Sequence, residues 1–185
     1  MKNNIKGRQI STDDLPKYTV EDWKSWEGKW ELIEGIPYAV SPMPTIKHQN
    51  INGRLYRQFA SLLDHCPDCE VFLPINLRIS DNSIIHPDLT IVCNGNQDDV
   101  YVTTTPQLVV EIISKSSRKQ DTKTKPKIFS NLGTRYYVLI DPKKELVQVF
   151  ELKKEKYELQ LETRGGNYEF ELDDCTATFD FSKIW

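Results

Sequence analysis

The chain has 185 residues, 38% hydrophobic and 28% charged, with a formal net charge of −3. That length fits one domain over 1–185 with a sizeable core, and the weakly acidic balance weighs against a general nucleic-acid coat while leaving room for a local basic site. No apolar stretch approaches membrane-spanning length, and residues 1–9 lack the apolar centre of a secretory signal, so a cytoplasmic location is expected.

Residues 1–11 are polar and read as a mobile tail. Thr19 and Asp22 make a weak capping box that opens a short helix reaching Trp26. Over 29–40 apolar and polar residues alternate around Glu34-Gly35, which predicts a hairpin with Glu31 on its first strand. Ser41-Pro42-Met43-Pro44 is a loop. Thr45 then caps a helix reaching about Asp64. Ile51, Leu55, Phe59 and Leu62 line its apolar face, Arg54 and Arg57 its polar face, and His48 lies in its first turn.

Cys66-Pro67-Asp68-Cys69 follows, with His65 beside it; Cys93 and Cys175 complete the set. Zinc wants four ligands and no second pair stands at a suitable spacing. A redox pair normally follows a strand and opens a helix, whereas this one follows a helix and leads into a strand. Cys66 and Cys69 are therefore expected to be reduced cysteines in a helix-to-strand turn, without zinc or redox function.

Strands are expected at 70–73, 77–80 and 84–93, with Asp81-Asn82 as the turn between the last two. Asp88 stands directly after Pro87, which lacks a ladder donor and favours an edge or irregularity. Residues 95–99 are a polar loop with Asp98 and Asp99 solvated. Residues 108–113 are a near-continuous apolar run, the pattern of a strand buried on both faces. Glu111 sits in its middle. An ionised carboxylate there is costly unless it is paired or binds a metal; both readings stand, a Glu paired with Lys or Arg and a metal-binding or catalytic carboxylate.

Six of the thirteen residues from 115 to 127 are Lys or Arg and one is acidic. Such a run is either a solvated face or an electrostatic lip that draws a phosphate backbone; its place after the Glu111 strand favours the second. Lys115, Arg118, Lys119, Lys123 and Lys127 are its nucleic-acid-binding candidates. A helix runs to about Leu132 and ends at Gly133, with Pro126 tolerable in its first turn. Strands follow at 136–140, 146–152, 156–162 and 168–172, the later ones an antiparallel extension with one wet face. Phe179, Phe181, Ile184 and Trp185 tuck the C-terminus against the body.

Pro87-Asp88, Glu111 within Val-Val-Glu-Ile-Ile-Ser, Asp121, Lys125, Gly133 and Tyr136 to Pro142 together resemble the Uma-two-type restriction-endonuclease-like proteins of the PD-(D/E)XK nuclease superfamily. The resemblance runs from about Trp23 to Trp185. It implies an α/β fold, a restriction-endonuclease-like mixed central sheet flanked by helices with an additional antiparallel β region. It also implies Mg²⁺- or Mn²⁺-dependent phosphodiester hydrolysis, most naturally of DNA, by a homodimer. Asp88, Glu111 and the Ile112 carbonyl would hold the metal and Lys125 would be the catalytic lysine. Glu31, His48 and Asp121 are secondary candidates, Asp121 sitting four residues before Lys125 on one helical face. The chain departs from the superfamily at Ile113, where the strand lysine normally stands. That departure supports the alternative of a catalytically inactive nuclease-fold module binding nucleic acid or a protein.

Overall fold

The computed structural model describes residues 15–40, 43–95 and 100–185; the expected tail at 1–11 and the Asp98-Asp99 loop lie outside the described residues. The capping box at Thr19 and Asp22 opens α1 (Val20–Trp23), shorter than expected. The hairpin forms as β1 (Trp30–Ile33) and β2 (Ile36–Ala39), turned at Glu34 and Gly35, both at positive φ. Thr45 accepts from the His48 amide and caps α2 (Ile46–Leu63), which buries Ile51, Leu55, Phe59 and Leu63 at four-residue intervals.

After β3 (Cys69–Phe72) and β4 (Leu77–Ser80), the single strand expected at 84–93 is two: β5 (Ser83–Ile85) and β6 (Leu89–Cys93), in different sheets. Pro87 lies in the break, where its missing amide leaves no ladder bond to lose. β7 (Leu108–Ile112) is buried throughout. A five-residue π turn, Gln120–Thr124, then leads into α3 (Lys125–Leu132), with Pro126 in its first turn and Gly133 left-handed at its end. β8 (Tyr136–Asp141), β9 (Leu146–Lys153), β10 (Lys156–Thr163), β11 (Asn167–Leu172) and β12 (Cys175–Asp180) complete the strands. β12 was not expected as a strand; it pairs with β11 as a separate hairpin.

The central sheet has the order β10-β9-β8-β7-β6-β3 and is mixed, since only β7 and β8 run parallel. That parallel pair requires the crossover which α3 supplies. Alternating residues divide the core. Leu89, Val110 and Val138 pack with Ile51, Leu55 and Phe59 of α2 and with Phe170 and Phe179 of the hairpin. Val109, Tyr137 and Leu139 pack on the other face with Phe129 of α3. That second cluster also takes Ile33, Leu77 and Ile85 from the four-stranded sheet β2-β1-β5-β4. Among the described residues, no helix is long and apolar enough to cross a membrane.

The cysteines overturn one expectation. Cys66 is bonded to Cys175 and Cys69 to Cys93. Strand register sets Cys69 opposite Cys93 between β3 and β6, and Cys66, just past α2, meets the start of β12. Both bonds join positions that only tertiary pairing brings together.

Candidate active site

The β6–β7 pairing sets Leu89 against Val110. Continuing that register by one residue brings Asp88 opposite Glu111, at the sheet end where α2 and α3 both begin. Glu111 is 3% exposed. Its Oε1 accepts from Lys125 Nζ at 2.9 Å. The same ammonium stands 2.9 Å from Glu31 Oε1 and 3.6 Å from Asp121 Oδ1. Lys125, Glu31 and Asp121 are as buried as Glu111. Three acids from β1, β7 and the π turn thus surround one lysine from the start of α3. The backbone bond from Lys125 N–H to Gln120 O, five residues back, is the π turn's own and fixes where Asp121 and Lys125 point.

Asp88 occupies the rim. Its Oδ2 accepts from the Ile112 amide at 2.7 Å and its Oδ1 lies 3.2 Å from His48 Nε2. Asn52, one turn after His48, donates to the Asp88 carbonyl at 2.9 Å. The first turns of α2 therefore hold Asp88 from one side of the sheet while Lys125 approaches from the other. Asp88, Glu111, Lys125, Glu31, His48 and Asp121 are brought into one cluster, and Ile112 borders it.

Burial pushes the Glu111 carboxyl well above its ordinary range; Lys125 pulls it down, while Asp121, Asp88 and Glu31 push it further up. Burial likewise raises Asp121 against the pull of Lys125. Burial alone would lower the Lys125 ammonium, but Glu111, Glu31 and Asp121 outweigh it and hold the lysine charged. His48 is also raised: burial opposes its charge, and Asp88, Asp121 and the Ile112 backbone more than offset that.

The donor set is all oxygen and carboxylate, which suits a hard divalent cation such as Mg²⁺ or Mn²⁺. Both Asp121 carboxylate oxygens are buried; Oδ1 has the 3.6 Å contact to Lys125 and the Ser117 side chain stabilises the charged form, and a cation would add a further partner. With the ammonium at the centre, no three Asp, Glu, His or Cys side chains among the described residues are disposed around one ion. The donor chemistry suits such an ion, but Lys125 holds the space the acids share.

Lys115, Lys119, Lys123 and Lys127 are exposed. Arg118 is exposed as well, and it pairs with Asp141 at 2.9 Å at the end of β8.

Three neighbours escaped the sequence reading. Asn52 was legible as the residue four after His48 on one helical face. His86 donates its amide to Glu31 Oε1 at 3.0 Å, and its buried Nε2 lacks a partner; its place beside Pro87-Asp88 was the available signal. Tyr137 donates from its hydroxyl to the Asp121 carbonyl at 2.8 Å and so pins the π turn. Nothing in an apolar strand run announces that contact.

A crystal structure of a putative nuclease belonging to DUF820, from Anabaena variabilis ATCC 29413, shares the fold. Its TM-score is 0.63 at 20% identity, covering 76% of this chain and 83% of that one. No curated protein matches the chain. A family model described as "Uma2: Putative restriction endonuclease" matches residues 18–177, a span holding every residue of the cluster, and the chain belongs to that family.

Proposed function

We propose that the chain is a metal-dependent nuclease that hydrolyses phosphodiester bonds in DNA, with Mg²⁺ or Mn²⁺ as its ion. One observation carries this reading. Lys125 is buried at 2.9 Å from both Glu111 and Glu31, at the end of two apolar strands. Asp88, Glu111 and the Ile112 carbonyl would hold the ion, with Glu31 and Asp121 as further oxygen donors. When bound, such an ion polarises a phosphoryl oxygen and acidifies a water.

The chain's own groups supply the rest. Lys125 offers a fixed positive charge where negative charge develops on the phosphate, in a site largely closed to water. His48 and the Ile112 amide orient Asp88. Exposed Lys115, Lys119, Lys123 and Lys127 draw the polyanionic backbone toward the cleft. Cutting both strands of a duplex calls for two sites, so the active form is inferred to be a homodimer.

Titration with Mg²⁺ or Mn²⁺ tests this, comparing wild type with Asp88→Ala. Wild type should cleave DNA only with the ion present, and Asp88→Ala should lose both cleavage and ion binding. Equal cleavage by the two proteins would sink the assignment. A second reading has its own support: Ile113 stands at the strand-lysine position, and Asp88 already accepts from the Ile112 amide. These favour a catalytically inactive module that binds nucleic acid or a protein. Folded wild type that cleaves neither DNA nor RNA with either ion would select it.

A further inference from the structure

A second cationic feature lies outside the lysine-rich segment. Between α2 and the β11–β12 hairpin runs a groove of about 480 Å³, within the range of ligand-binding clefts. Arg54 and Arg57 of α2 form one wall, Asn167 and Thr178 of the hairpin the other, and Lys183 lies beyond β12. Three cations face one acid, Asp180, in a chain whose net charge is −3. Lys183 pairs with Asp180 at 3.2 Å, whereas neither Arg54 nor Arg57 has an ion-pair partner among the described residues.

The walls are fastened together. Gln58 accepts from the Asp180 amide at 2.8 Å and donates to its carbonyl at 3.2 Å, so α2 and β12 hold a fixed separation. Arg54 Nη1 donates to the Ile184 carbonyl at 3.3 Å. A guanidinium carries five donors in all, so that bond anchors the fork without exhausting it. α2 carries residues of both the groove and the candidate cleft, on different faces: at ~3.6 residues per turn Arg57 points about 180° away from His48. His48, against Asp88, lies in its first turn. At ~1.5 Å per residue Arg54 and Arg57 follow ~9 and ~13 Å along the axis. That is about three to four base steps at ~3.4 Å each.

We propose that this groove binds the phosphodiester backbone of a DNA strand whose neighbouring segment lies in the cleft; the proposal rests on the nuclease reading for its choice of ligand. Lining cations give affinity through counterion release, and the Asn167 side chain donates to phosphate oxygens without reading sequence. The groove makes the hairpin a DNA-contacting element and extends the footprint along α2, away from the lysine-rich segment.

The test is binding of a fluorescent 20-base-pair duplex, and of a 6-base-pair duplex too short to span cleft and groove. Ca²⁺ replaces Mg²⁺, and KCl is varied. Variants are Arg57→Ala, Arg57→Glu and Arg57→Ala/Lys183→Ala, each checked for an unchanged melting temperature. The slope of log K against log salt should fall by about 0.9 per cation removed on the long duplex, and Arg57→Glu should lose more than Arg57→Ala. The short duplex should show a smaller change. Equal slopes for wild type and variants, equal losses on both duplexes, or no binding by wild type at any salt would overturn the groove. Cleavage by wild type with unaltered variant binding would leave the nuclease reading standing and remove this one. Weakened variant binding in a protein that never cleaves would do the reverse.

Discussion

The lysine-rich segment before α3 and the groove along α2 both collect cations, and they hold them in opposite ways. In the segment, Lys115, Lys119, Lys123 and Lys127 point into solvent, and one member, Lys125, is 3% exposed among three acids. In the groove, cations from α2 and from the turn after β12 share a cavity although they lie far apart in sequence. Charge density along the chain therefore marks where a polyanion is attracted. Burial among opposite charges marks where one cation has a fixed position. Exposed lysines contribute through long-range field and counterion release, both weakened by salt; Lys125 sits where salt hardly screens it.

The sharpest way to break this contrast is to remove Lys125 and its exposed neighbours in parallel. Lys125→Ala should cut metal-dependent cleavage by roughly 10²–10³, the usual cost of one lost donor to developing charge. It should also destabilise the fold by about 3–5 kcal/mol, because Glu111, Glu31 and Asp121 lose their shared counter-charge. Placing Glu111→Gln on that background should return part of the stability, measured as denaturation midpoint. Metal affinity should change as well, since the ammonium shares the acids an ion would use. If Lys125→Ala cleaves and melts like wild type, the buried lysine has neither role.

A smaller effect concerns pH. Burial and like charge raise Glu111 and Asp121, so the metal-free cluster retains protons that unperturbed carboxyls would have released. Ligands must be deprotonated to bind a cation. Mg²⁺ or Mn²⁺ affinity should therefore weaken as pH falls and strengthen as it rises through the elevated range. The change should be up to about tenfold per pH unit for each proton displaced. Calorimetry in buffers of different ionisation enthalpy reads that release directly, and a buffer-independent heat would contradict it. The smallest expected effect is at the exposed lysines. Lys115→Ala or Lys123→Ala should each lower the salt slope of DNA binding by about one and leave the chemical step nearly intact.

Much of the centre was legible from sequence because it depends on local pattern. The apolar runs of β7 and β8, the four-residue stripe of α2 and the glycine stop after α3 all follow from period and turn chemistry. Lys125 was reached through its match to the family. What escaped depends on pairing between distant segments. Glu31 was a secondary candidate through the family resemblance, but its contact with Lys125 follows only once β1 pairs with β5 and packs over the central sheet. The cysteines look reduced until β3 lies against β6. β12 reads as an irregular tail because its inward residues, Ala177 and Phe179, are separated by polar ones and need Phe59 to complete their face.

The Cys66–Cys175 bond ties the chain into a ring whose closure spans 109 positions. Asp88, Glu111, Asp121 and Lys125 all lie within that ring; Glu31 and His48 lie outside it. In the oxidised unfolded chain the ring segments cannot drift apart freely, and closing a loop of that size removes about 4–5 kcal/mol of chain entropy from the denatured ensemble. The ring closes just past the end of α2 and at the start of β12, the elements that wall the groove. A reducing compartment would leave those walls joined by packing and hydrogen bonds alone, so the redox state of the surroundings sets how tightly the accessory hairpin is tethered to the body that carries the carboxylates.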